Sequence, residues 1–533
     1  MEITPMTTSN ASFRIARSLL LSAAVTLALS ACGGGGGGSG TQAGTPAGGS
    51  SDPGPGPGPA PGPSPAPTPA PGPGGSGTTP IIYVADQTTA GIDELYMVDP
   101  SAPGGSVKLS APLVTGGNVY DFALSSDGKS VLYLADQDID TRYELYRVSV
   151  AAPGVATKLN PQLQTNRDVM DFVQTPDGSK VVYRADTTTI GLYDLYLVDV
   201  ANPGAVTKLS GALTPGGSVR SGYSVSPDGT RALYRADQQV VDQIELFSVA
   251  LANPGASTKM SSQLVANGNV SSAFAFSPDS THVAYVADQD VDGVLELYDT
   301  TVASPGLTAK LNGPLTAGGN ICNFKFSPDS QRVAYCADQI TDDVTELFTV
   351  ALASPGTSMK LSPALVSGGD VKAAYEFSAD SSFMLYLADQ QVDERVELFR
   401  VDIAAPGVTT KMNGTLVADG DVWDFKLRPD GTHAAYIATQ DDFSVYELYE
   451  VAFATPAAST KLSAPMTGAG LWQFEYADDS TSATYSAEQD STAPELYRVG
   501  VASPGSATKL NSPMAAGGGV WAFIVKAGAI MTP

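Results

Sequence analysis

The chain has only three cysteines, two histidines and three tryptophans in 533 residues, and its charged residues make up 16%, with 29 basic against 55 acidic. So few cysteines exclude a scaffold built on disulfides. His282 and His433 each open a strand-like run just after a turn, in distant parts of the chain. They offer no imidazole cluster for zinc or for acid–base catalysis. A formal charge of −26 excludes nucleic acid as a partner. The G-x-S-x-G elbow, the P-loop and the dinucleotide fingerprint are all missing. No constellation is left that would mark an enzyme, and the chain is not expected to catalyse.

What is present begins with an address. Arg14 and Arg17 precede an apolar run from Leu19 to Leu29 that is too short to span a bilayer and is followed at once by small residues, so residues 1–31 read as a secretory signal. Its end, Leu29-Ser30-Ala31-Cys32, resembles the bacterial lipobox. That resemblance implies cleavage before Cys32, diacylglycerol on its thiol and, with Gly33 next, sorting to the outer membrane, on either its periplasmic or its outer face. Residues 32–79 are Gly-rich and then alternate Pro with small residues, a composition that cannot bury a core and favours extended polyproline II. Fully extended, such a tether reaches about 150 Å, and as a flexible coil about 40 Å.

From residue 80 to 533 one unit repeats. Ala-Asp recurs at 85/86, 135/136, 185/186, 236/237, 287/288, 337/338 and 388/389, followed by Ala-Thr at 438/439 and Ala-Glu at 487/488. Each unit of about 50 residues has four strand-like runs separated by turn chemistry, such as Ser-Pro-Asp-Ser at 277–280 and Ser-Pro-Gly at 304–306, and nothing in it looks helical. The hairpin at 326–338 and its eight relatives resemble the TolB-type, WD-repeat-like propeller motif. The fold this implies is all-β, a single large β-propeller of about nine four-stranded blades. The chain enters at a second strand, near Ile81, and leaves at a first strand starting at Val520, so the last strand can complete the first blade. A smaller ring with one displaced unit is the alternative.

The loops between second and third strands hold 30 acidic residues against Arg142 and Arg395. They must emerge together on one face. Asp288, Asp290, Asp292 and Glu296 stand at positions 1, 3, 5 and 9 of such a loop with Gly293 at position 6, and they resemble the calcium loops of integrin-type propellers. Asp136, Asp138, Asp140 and Glu144 repeat the pattern without the Gly. Calcium is thus the one cofactor the sequence suggests, and none is required. A Lys at one position of every fourth strand, from Lys108 to Lys509, reads as edge protection. Cys322 and Cys336 flank a hairpin turn and fall opposite each other if its loop has three residues, which permits a disulfide; a two-residue turn forbids it. Trp423, Trp472 and Trp521 lie in neighbouring innermost strands. The functional expectation is a monomeric, outer-membrane-anchored binding or scaffold module that uses its acidic face, with a protein or polysaccharide partner. The alternative is a polysaccharide-active hydrolase or lyase with carboxylates at the axis.

Overall fold

The second run of each unit is apolar at nearly every position, as in Phe383–Ala388, which is buried throughout. A strand with both sides apolar must lie inside a sheet that is covered on both faces. A computed structural model, described over residues 79–526, shows how this is achieved. The signal, Cys32 and nearly all of the tether lie outside the described residues.

The described chain forms 36 strands in nine antiparallel sheets of four, with no helix among the described residues. Eight sheets follow chain order. The remaining one, blade 1, joins Ile81–Ala85, Glu94–Val98 and Val107–Lys108 to the last strand, Val520–Ile524, which pairs antiparallel with Ile81–Ala85. Blades 2 to 9 then occupy residues 119–158, 169–208, 224–259, 270–310, 321–360, 371–411, 422–461 and 471–509. Nine apolar clusters lie between successive blades. One packs Leu132 and Leu134 of blade 2 on Val169 and Phe172 of blade 3, and another packs Leu496 and Leu510 of blade 9 on Ile81 and Tyr83 of blade 1. The second of these closes the ring, so the count is nine with no displaced unit.

The recurring Tyr of the second strand is the centre of each cluster. Tyr83, Tyr133, Tyr183, Tyr234, Tyr285, Tyr335, Tyr386, Tyr436 and Tyr485 are all fully buried. Most stack on an aromatic of the third strand, as Tyr335 does on Phe348 with centroids 5.4 Å apart. Eight of the nine also donate their hydroxyl to a Gln four residues on, which satisfies the buried polar end.

Most innermost strands carry a bulge one residue from their start. Such a bulge re-aims a side chain. The bulged residues are Tyr120, Met170, Cys322, Trp423 and Trp472, at the loop-face end of the axis. The bulge also revises the cysteine geometry. Cys336 pairs with Asn323, and Cys322 is the extra residue beside it rather than its direct partner. The two cysteines are joined as a disulfide with their Cα atoms 5.5 Å apart.

Candidate binding face

The aspartate that follows most second strands is buried and accepts from backbone amides of two loops. Asp288 accepts from the Asn269 amide at 2.5 Å and the Gly293 amide at 3.1 Å, binding the inter-blade loop to the loop between strands two and three. Asp136 does the same for Asn118 and Thr141, and Asp86 for Gly519 and Gly91 across the ring seam. Thr439, in the aspartate's place, keeps one of these bonds, from the Asp421 amide at 2.8 Å.

The acid that opens each third strand meets the recurring Lys. Lys158 lies 2.5 Å from Glu144 and 2.8 Å from Asp138, and Lys310 lies 2.5 Å from Glu296 and 2.9 Å from Asp290. The other seven pairs are Lys108–Glu94, Lys208–Asp194, Lys259–Glu245, Lys360–Glu346, Lys411–Glu397, Lys461–Glu447 and Lys509–Glu495. These lysines are internal counter-ions rather than edge protection alone. Burial pushes the Glu94 carboxyl up, but hydrogen bonds from Lys108, Thr88 and Tyr96 outweigh it and hold Glu94 below its usual range. Burial likewise pulls Lys158 down, and Asp138 with Glu144 more than reverses it.

The expected calcium ligands therefore do not converge on one point. Asp288 faces backbone amides, Asp290 and Glu296 close on the ammonium of Lys310, and Asp292 meets the Asn267 amide at 3.3 Å. In blade 2 the same division separates Asp136 from Asp138 and Glu144, while Asp140 stays exposed. Among the described residues, the one trio of such ligands with atoms within 4.8 Å of one another is Asp338, Asp342 and Asp343 in blade 6.

At the loop tips another order appears. Asp140, Asp242, Asp292, Asp342, Asp343, Asp393, Glu394 and Asp442 are exposed and make no ion pair among the described residues. Between them stand exposed apolar side chains at nearly the same loop position: Ile139, Ile190, Val240, Val241, Val291, Ile340, Val392 and Phe443, the last 68% exposed. Single exposed hydrophobics are ordinary, but a ring of them on one face is not.

Nearer the axis the ring loses its symmetry. Trp423 and Trp472 flank Tyr446, with both ring centroids 6.0 Å from it, and Tyr120 packs edge-on against Tyr143 at 4.6 Å. Trp521 donates its indole N–H to Asp86 at 3.2 Å. Deeper, Lys426 of blade 8 pairs with Glu475 of blade 9. Burial pushes the Asp424 and Glu376 carboxyls up from the usual carboxylate range.

Across blades 3 and 4, Arg184, Arg220 and Arg235 line a cavity of about 320 Å³ together with Tyr193. Burial and the neighbouring Arg220 charge bring Arg235 down to about 10. A larger cavity of about 620 Å³ lies between blades 9 and 1, but its charged groups, Lys509 and Glu495, pair with each other.

No protein-family model and no curated protein matches this chain in sequence. Solved structures do match in fold. Dipeptidyl peptidase 4 of Porphyromonas gingivalis superimposes with a TM-score of 0.53 at 14% identity, over 74% of this chain and 60% of its own length. A structure described as the eukaryotic initiation factor gives a TM-score of 0.53 at 10% identity, over 84% and 98%. A putative TolB from Agrobacterium tumefaciens gives 0.31 at 14% identity, over 52% and 88%. At these identities the likeness is one of fold. It nevertheless corrects the expectation that the chain does not catalyse, because a peptidase shares the propeller and the fold does not set this chain apart from hydrolases.

Proposed function

We propose that this protein is a lipid-anchored β-propeller of the outer membrane that binds a basic, amphipathic polypeptide on its loop face. The observation that carries the reading is the ring of exposed apolar tips interleaved with exposed carboxylates that have no ion-pair partner among the described residues. Apolar tips provide contact area, and the unpaired acids draw in a partner of opposite charge and orient it. Support for the anchor comes from the lipobox-like residues 29–32 and the Pro/Gly stretch behind them. The direct test is fluorescence anisotropy of a labelled nonapeptide of alternating Lys and Leu, with a Glu/Leu peptide as comparison. The basic peptide binds, its affinity falls with added salt, and the acidic one does not bind. Equal binding of the two, or of neither, contradicts the reading. In cell fractionation, Cys32→Ser moves the protein from membrane to soluble fractions.

A second reading is favoured by the axial aromatics and the raised carboxyls of Asp424 and Glu376: a polysaccharide-active hydrolase or lyase, with one of these acids as proton donor and Trp423 and Trp472 as the sugar platform. Turnover on a panel of polymers, lost in Asp424→Asn, supports it. Turnover unaffected by Asp424→Asn and Glu376→Gln removes it.

A further inference from the structure

The residue between Tyr and Ala in the second strand is apolar or small in seven blades, Val84, Leu134, Val286 and Leu387 among them, and is arginine only in blades 3 and 4, as Arg184 and Arg235. Arg220, at the start of blade 4's innermost strand, occupies the position that holds Trp423, Trp472 or Tyr120 in other blades. The strand behind it is also the most broken of the nine. It is reduced to Ser224–Val225, with an isolated bridge from Val219 to Ala236 and Gly222 at φ +83° between them. A φ of that sign is open to Gly at no steric cost, and here it lets the strand leave its ladder and open a notch.

Charge is unevenly matched inside the notch. Arg184 forks onto Asp171, with its shortest contact 2.6 Å, and lies over the Tyr193 ring at 4.7 Å. Arg220 reaches Asp237 at 3.3 Å. Arg235 has no carboxylate partner among the described residues. It donates only to the carbonyls of Val270 at 3.0 Å and Ser221 at 3.3 Å, beside the Phe274 ring. The Nε donors of Arg220 and Arg235 are buried and unpartnered. A buried guanidinium with spare donors is costly unless an anion completes it. Two of the three arginines already have a carboxylate each, so a single negative charge balances the third. A planar carboxylate suits the guanidinium fork.

We propose that the notch formed by Arg184, Arg220 and Arg235 receives the free C-terminal carboxylate of the basic polypeptide that binds the loop face. The notch opens on that same face, between the loops of blades 3 and 4, so the surrounding acids hold the basic residues while the arginines read the chain end. The inference rests on the loop-face reading, and its test separates the two.

The probe is the Lys/Leu nonapeptide made with a free C-terminus and with an amidated one, both titrated by anisotropy against the purified protein. The free acid binds at least about tenfold tighter than the amide, and Arg235→Met removes that difference. Thermal melts check that the variant folds. If it does not, Arg220→Gln decides, since that side chain is 41% exposed. Equal affinity of the two peptides for the unmodified protein overturns the notch and leaves the loop-face reading intact. A preference for the free acid that survives in a folded arginine variant also overturns the notch. Binding of neither peptide overturns both. Displacement of the free acid by inorganic phosphate at concentrations where acetate has no effect overturns the carboxylate assignment.

Discussion

Turns on the face opposite the acidic loops show how one side chain can serve two purposes. The last residue of the Asp turn lies at positive φ: it is Gly128, Gly178, Gly229 or Gly431 in some blades, but Ser280, Ser330, Ser381 or Ser480 in others. A serine there costs about 1 kcal/mol of backbone strain. It offsets the strain by tying neighbouring blades, since the Ser330 hydroxyl accepts from the Asp279 amide at 3.0 Å. Ser330→Ala keeps the strain and loses the bond, and is expected to destabilise by about 1–2 kcal/mol in urea melts. Ser330→Gly loses both and stays within about 0.5 kcal/mol of the parent. The opposite order contradicts this account. A departure from the repeat is also visible in the sequence where Arg184 and Arg235 interrupt a second-strand position that is otherwise apolar or small, yet their meeting is not. It depends on a broken strand in blade 4 that brings Arg220 alongside, and no spacing rule encodes that.

At the level of strands, the Lys–acid ladder illustrates what a repeat conceals. Lys108 and Glu94 are 14 residues apart, and so are Lys310 and Glu296. That constant interval is visible in every unit, but its meaning comes from register: Tyr96 pairs with Lys108, which sets the Lys above the start of the third strand. Read alone, the acids resembled a calcium loop, because the ammonium that supplies the positive charge belongs to the next strand. The ladder has a pH signature. Glu94 and Asp138 are held below their usual range, so their contribution is present above about pH 4 and is lost as pH falls through their lower folded values. Lys158, Lys310, Lys461 and Lys509 are raised, so theirs is complete below about pH 10 and is lost as pH rises through the folded values. Urea midpoints are therefore expected to form a plateau between, with losses on both sides. A midpoint that climbs steadily into alkali is incompatible with the ladder.

For the whole molecule, fold class, blade number and closure by the last strand could be read from nine copies of one pattern, since a ring needs only period and phase. What could not be read is where symmetry fails. Closure itself concentrates on Asp86, which accepts from Gly91, Gly519 and the Trp521 indole. The chain runs on from blade 9 into the last strand of blade 1, so the seam lies inside blade 1, where Val520–Ile524 is held to Ile81–Ala85 without a connecting turn. Asp86→Ala is expected to cost about 2–4 kcal/mol and to expose the final strand to limited proteolysis. An unchanged cleavage pattern contradicts a seam held at this point. The charge excess is a property of the assembled ring as well, because the acids left over after the nine lysines are matched gather on one face. The measurement closest to the central claim is the affinity of the Lys/Leu peptide for a variant carrying Asp342→Asn, Asp343→Asn, Asp393→Asn and Glu394→Gln, four exposed acids outside the ladder. Binding at least about tenfold weaker, with an unchanged or higher melting temperature, is expected, since like charges are removed and no paired one is touched. Unchanged affinity in a folded variant would show that the acidic face is not what binds.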